Sequence, residues 1–362
     1  MIPCLYDSEE TAYDSNGLGK LADAISCTVE EKRNSSYELK MTYRSDGIHA
    51  DELTEGNIIM AKPSDSAQNQ PFRIYKVTSN LSGELEICAR HISYQLNFTT
   101  VSPFTATGPE AAMEGFLENV STDCPFTFET DIESSAVFTL SVPASLRNCL
   151  GGMDGSMIDT FGGELEWDRY NVILHEARGT DNGVRIVYGK NLVSFKMEKS
   201  IENVITGLHP YWTDSETGAV LELPEKIITS SSADRSVPYE KISPYDFTGD
   251  YEEQPSYDDL RTSAKAYLSS TDLTEADLDI EINFIQLWNT PEYKDVAEAE
   301  QVSLCDTVTV YVSVLDVEVS MEVTETVFDV LLERYESITL SNSGSSSRNS
   351  SLSAAINDMV NE

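Results

Sequence analysis

The chain has 362 residues, with 62 acidic side chains against 24 basic ones and a formal net charge of -38. That length supports more than one packed core, since single cores stop growing at about 250 to 300 residues, and no segment is basic enough to grip a phosphate backbone, which argues against sequence-specific nucleic-acid binding. No window approaches the ~20 apolar residues of a membrane span, and residues 1–7 lack the basic region and long apolar run of a signal peptide, so the expected product is made in the cytoplasm without stable membrane insertion.

From residue 37 to about 98 the pattern predicts successive strands at 37–43, 58–61, 72–78, 84–89 and 92–97. Alternation such as Phe72-Arg73-Ile74-Tyr75-Lys76-Val77 is what a half-buried strand requires. After Pro103 the character changes: residues 108–120 space their apolar side chains for a helix, with Pro109 tolerated in the first turn. Short helices are expected around 146–150 and 156–161, then strands at 164–167 and 171–177.

Next comes Arg178-Gly179-Thr180-Asp181-Asn182-Gly183-Val184, in which Asn182-Gly183 is the strongest short-range hairpin signal because both residues tolerate positive φ. A hairpin closed there pairs Asp181 with Val184 and sets the small Gly179 and Ala177 opposite Ile186 and Tyr188. Asn182, Gly183 and Gly189 are therefore read as structural hairpin residues. Strands return at 195–202, 205–212, 220–223 and 280–287, and again at 302–312, 317–324 and 333–340. Between them, about 229–279 reads as an acidic, turn-rich insertion broken by a helix at 257–269 with Leu260, Ala264 and Leu268 on one face. Residues 341–351 form a Ser-rich linker, and Leu352, Ile356 and Met359 start a heptad-like seam in a short C-terminal helix.

The expected fold class is a multidomain β-rich α+β chain. Two small β-barrel-like domains, 1–102 and 194–340, flank an α+β domain at 103–193 that ends in the hairpin, and 341–362 carries the linker and helix.

Three separated runs resemble the tail-hub proteins of bacteriophages, the N-terminal module of tail-associated lysins also labelled prophage endopeptidase tail. They are Pro71-Phe72-Arg73-Ile74-Tyr75-Lys76-Val77 with Ala89-Arg90-His91-Ile92-Ser93-Tyr94; Phe161-Gly162-Gly163-Glu164-Leu165-Glu166-Trp167-Asp168 continuing through the hairpin to Leu192; and Val302-Ser303-Leu304-Cys305-Asp306-Thr307-Val308 with Leu332-Glu333-Arg334-Tyr335. What the resemblance implies is a baseplate-hub-like homotrimer at the virion tail tip. Such a ring closes the tail tube, binds a distal tail protein on one side and a tail fibre or receptor-binding protein on the other, and gates passage of the tape-measure protein and DNA. A lumen lined with carboxylates would let DNA pass without specific binding. Where the family has glycine before the aspartate of the third run, this chain has Cys305, which bears on the turn there. Because the chain ends at Glu362, the lytic activity in the family's label is not carried over.

The chemical alternatives are weaker. His91, Ser93 and Asp306 can be written as a triad, but His91 and Ser93 share a strand face by periodicity alone and no nucleophile elbow is present. Glu164 and Glu166 could form a glycosidase pair, as many pairs could among 62 acids. Tyr188-Gly189-Lys190-Asn191 lacks phosphate-loop spacing, and Asp272, Glu275, Asp277 and Asp279 lack the glycine and final glutamate of a calcium loop. The six cysteines (Cys4, Cys27, Cys88, Cys124, Cys149, Cys305) show no CxxC spacing and are read as buried free thiols. Trp167, Trp212 and Trp288 are read as core, with carbohydrate stacking open for any that is exposed. No catalytic residue, metal or cofactor is expected. The alternatives kept are a contractile-tail or injection-device hub, a cell-wall hydrolase and a carbohydrate-binding adhesin.

Overall fold

The computed structural model describes residues 1–214, 217–230, 237–251, 253–270, 274, 276–286, 301–315 and 317–342. Within them the chain is β-rich with few helices. It divides into two compact units, Met1–Lys196 with Ile280–Leu340, and Met197–Asp279.

The first unit opens with β1 (Cys4–Tyr6), β2 (Gly19–Lys20), β3 (Ala24–Lys32), β4 (Tyr37–Arg44), β5 (Ile58–Ala61), β6 (Gln70–Ser79) and β7 (Glu84–His91). Alternation sets the faces: β4 buries Tyr37, Leu39, Met41 and Tyr43 and turns Glu38, Lys40, Thr42 and Arg44 outwards. Residues 92–97, expected as a strand, form a 3-10 helix instead, because the His91 ring accepts the Ser93 amide and caps the turn.

The chain continues through β8 (Thr100–Val101), β9 (Phe104–Thr107), α1 (Pro109–Asn119), β10 (Thr127–Thr130), β11 (Val137–Leu140), β12 (Ala144–Ser145), α2 (Leu146–Gly151), α3 (Met157–Phe161), β13 (Glu164–Asp168) and β14 (Asn171–His175). Ser145 and Ser156 cap α2 and α3 by accepting the amides of Asn148 and Asp159. Phe116 of α1 packs edge-on against Phe104 and Phe138. These residues, with Leu146 and Trp167, belong to the same buried cluster as Tyr43 and Phe72. The composition change at Pro103 therefore marks a change of secondary structure and no break in the core, and the sequence-read boundaries at 102/103 and 193/194 both fall inside one unit.

After β15 (Val184–Val187) and β16 (Leu192–Ser200) comes the second unit, with β17 (Gly207–Thr213), β18 (Val220–Glu222), β19 (Ile228–Thr229), β20 (Ile242–Asp246) and α4 (Tyr257–Ser270). Strand β17 pairs with the other three, and α4 buries Leu260, Ala264 and Leu268 with Leu208, Leu223, Ile228 and Phe247. The separate unit therefore starts at Met197, well before the insertion expected from residue 229.

The last strands are β21 (Asp277–Phe284), β22 (Thr307–Val312), β23 (Val317–Asp329) and β24 (Arg334–Ser341). They complete a thirteen-stranded sheet in the order β16-β21-β24-β23-β3-β4-β7-β6-β5-β1-β2, with β22 beside β23 and β15 beside β22. The 13-residue β23 serves both parts of this sheet: Val317–Glu322 pairs with β22, and Glu325–Asp329 pairs with β3.

The hairpin expected at Asn182-Gly183 does not form. Val184–Val187 pairs parallel with β22, from Val184 opposite Val308 to Val187 opposite Tyr311, and Thr180 already accepts the Thr307 amide, so the chain enters and leaves the Asp181-Asn182-Gly183 kink in one direction. The kink is local: the Asp181 carboxylate accepts the Gly183 amide, and only Gly183 of the pair has positive φ, at +69°. A type I′ turn needs both residues there. The next turn lies at Gly189, φ +83°, where Lys190 and Asn191 donate to the Val187 carbonyl.

The expected linker, C-terminal helix, Trp288, Asp272 and Glu275 lie outside the described residues. Among the described residues, no helix is long and apolar enough to cross a membrane.

Candidate functional site

The segment after β14 is held by contacts that the sequence motif disguised. Gly179 lies so close to the turn before β22 that a Cβ would meet the Cys305 carbonyl oxygen at 2.0 Å. Cys305 stands at the position where a glycine was expected and adopts the glycine conformation, φ +73°. Asp306 locks the junction: Oδ1 accepts the Thr180 amide at 2.8 Å and Oδ2 accepts the Ser303 amide at 2.7 Å. Its carboxylate is thereby committed to backbone.

Buried charge surrounds this junction. Arg178 donates to Glu31 at 2.8 Å while its amide donates to Glu164 at 2.9 Å, and Arg33 lies 3.6 Å from Glu164 and 2.5 Å from Glu322. Burial works against the Arg178 charge, but Glu31 outweighs it and the guanidinium holds its proton more tightly than usual. Burial, reinforced by Glu164, pushes the Cys305 thiol well above its ordinary range, so this cysteine is no nucleophile. Asn34 joins the same region to β13, donating to the Gly163 carbonyl and accepting the Leu165 amide.

A second network lies around His91, which is 1% exposed. Nδ1 accepts the Ser93 amide, which assigns the proton to Nε2 and directs it to Gln70 Oε1 at 3.3 Å. Gln70 passes the chain on to Asp168 and Arg169, and the Ser93 hydroxyl accepts from Arg147 at 2.9 Å. Arg147 is 1% exposed, donates also to the Ser35 carbonyl, and is stacked over the rings of Tyr94 and Trp167. Burial first, then the Arg147 charge, hold the His91 pKa well below its usual value, so the ring is neutral. His91 and Ser93 do meet, but in a closed polar core with both ring nitrogens engaged.

The remaining sequence candidates are also engaged. Glu166 and Asp131 grip the two ring nitrogens of His175 at 2.9 and 3.0 Å. Burial alone would lower His175, but these two carboxylates outweigh it and raise its pKa. The side chain of Asn191 caps the open edge of β15, with Oδ1 accepting the Val187 amide and Nδ2 donating to the Arg185 carbonyl. Asp277 accepts from Asn203 at 3.2 Å. Trp167 and Trp212 are buried, while Cys4, Cys88 and Cys124 are half-buried free thiols, more open than expected. Among the described residues, no three His, Cys, Asp or Glu side chains converge as a metal site requires.

A cleft of about 1090 Å³ lies in the first unit between Lys62, Asp65, Phe284, Leu332, Arg334 and Tyr335. Charges of both signs line it beside exposed Leu332 and Ile285, and Tyr335 spends its hydroxyl on the Val302 carbonyl.

Prophage tail proteins share this fold. The chain is similar to the prophage tail protein gp18 of Listeria monocytogenes, with TM-score 0.61 and 12% identity over 99% of this chain and 100% of that one. It is also similar to the 43 kDa tail protein of prophage MuSo2 from Shewanella oneidensis, with TM-score 0.60 and 10% identity over 94% and 98% of the two chains. A tail protein from Neisseria meningitidis gives TM-score 0.58 and 9% identity over 96% and 98%. At such identities the likeness is one of fold. No family model matches the sequence, and no curated protein matches it.

Proposed function

We propose that this protein is a structural hub or tail-tip protein of a long-tailed bacteriophage, residing in the virion tail as a homotrimeric ring. The observation that carries the reading is the fold shared with three tail proteins, two of them from prophages, over at least 94% of this chain and at least 98% of each of theirs. The two parts of the large sheet, β1–β7 and β15–β16 with β21–β24, would on this reading act as two ring modules per subunit and give three subunits a ring of six. On this reading the ring joins a distal tail protein to fibres or receptor-binding parts, and the net charge of -38 supports a lumen that passes the tape-measure protein and DNA without holding them. The role is non-enzymatic: the histidine and serine that could be drawn as a triad are enclosed, and Asp306, Glu164 and Glu166 are bound to partners.

Light scattering on the purified protein should return three times the 40.1 kDa chain mass, and negative-stain images should show threefold rings, if necessary after addition of the distal tail protein. A monomer under both conditions refutes the hub reading. Release of soluble fragments from peptidoglycan would refute the non-enzymatic role.

A further inference from the structure

The outward face of β4, β7 and β6 carries a transverse row in which Cys88 sits directly opposite Lys40 on one side and Lys76 on the other. Both lysines are exposed, and neither has an ion-pair or hydrogen-bond partner among the described residues. The neighbouring charges on this face are already occupied: Arg90 pairs with Glu38, Arg44 with Asp46, and Glu86 accepts from Asn80. Two open cations are thus held about 10 Å apart by strand spacing, on a molecule with 24 basic against 62 acidic residues.

The complementary feature is on α1. Glu110, Glu114 and Glu118 recur at four-residue intervals on its exposed side, opposite the buried Ala112, Met113 and Phe116. They too have no cation partner among the described residues. Like charges at this spacing repel along a helix, each pair costing a few tenths of a kcal/mol, on the order of 0.2–0.5. A helical rise puts Glu110 and Glu118 about 12 Å apart, within reach of both lysines on their flexible stems.

We infer that the Lys40–Cys88–Lys76 row of one copy docks the Glu110–Glu114–Glu118 stripe of the next. Different patches meet, so the contact is head-to-tail and generates a ring where the rotation closes. The inference rests on the trimer reading above and names the surface that builds it.

Three variants test it: Lys40→Glu with Lys76→Glu, Glu110→Lys with Glu114→Lys and Glu118→Lys, and all five changes in one chain. The first two should each weaken association at least about tenfold at physiological salt, because like charges are then juxtaposed. The five-fold variant should recover it. All are surface changes, and melting temperature serves as the folding control. In parallel, Glu114→Cys treated with a short bismaleimide should give covalent dimer and trimer through Cys88, and the same chain with Cys88→Ser should not. A trimer insensitive to both charge reversals and lacking the Cys88-dependent crosslink overturns this interface and leaves the hub reading standing. Absence of any trimer in the unmutated protein, alone and with its distal tail partner, overturns both.

Discussion

Two glycines a few residues apart separate steric from conformational demand. Gly179 faces backbone, so Gly179→Ala must push the Cys305 carbonyl aside and should cost about 2–3 kcal/mol. Gly183 has nothing within 4 Å of a built Cβ, and Gly183→Ala should cost only about 1 kcal/mol for its left-handed φ. Urea unfolding of the two variants checks the order, and equal losses would contradict it. The histidines give a pair of opposite pH effects. His91 is held neutral, so as pH falls through the unfolded value of about 6.5 the unfolded chain binds a proton that the native ring refuses, and stability drops. His175 has a raised pKa, so its contribution is complete below the unfolded value and fades as pH rises through the native one. Unfolding free energy measured at about pH 5.5 and again above neutrality should show His91→Asn losing less on acidification than the wild type, and His175→Gln gaining less.

At the level of elements, Arg147 is the tie between α2 and the β3–β4 connection, through its bonds to Ser93 and the Ser35 carbonyl. Arg147→Ala leaves a void and orphaned acceptors and should cost about 3 kcal/mol. Lysine should not restore it, because a point charge cannot both stack on Tyr94 and Trp167 and reach two acceptors; recovery by lysine to within experimental error would show that the fork geometry is irrelevant. This residue could not be singled out from sequence, since an arginine in Ser145-Leu146-Arg147-Asn148 reads as a solvated helix position. Elements whose faces are set by their own periodicity were legible: β4, α1 and α4 fall where alternation and helical spacing put them, and the short apolar run of β5, buried throughout, falls where it was expected. What depended on distant partners was not. Asn182-Gly183 carries a hairpin signal, but Asp306 and the β22 edge capture the flanking segment and convert the turn into a kink. Residues 92–97 have strand-like composition, but the His91 cap curls them. The Cys305 position was the exception, because a residue standing where glycine was expected drew attention to a backbone that does adopt a positive φ.

For the whole molecule, the balance of 62 acids to 24 bases predicts that it will not retard duplex DNA in a gel even at low ionic strength, and measurable retention would count against a lumen that merely lets DNA through. Strand β23 raises a question of a different kind. Its first half is hydrogen-bonded to β22 and its second half to β3, so one covalent strand of 13 residues, about 43 Å long at strand rise, is common to both parts of the sheet. A pull on either part is delivered along that strand and meets its ladders in shear, with every rung sharing the load. The sheet should then yield as one cooperative block: amides of Thr307–Val312 and of Glu325–Asp329 should exchange with solvent at a common rate under conditions of global opening. Two separate exchange rates would reveal a weak joint between the two parts.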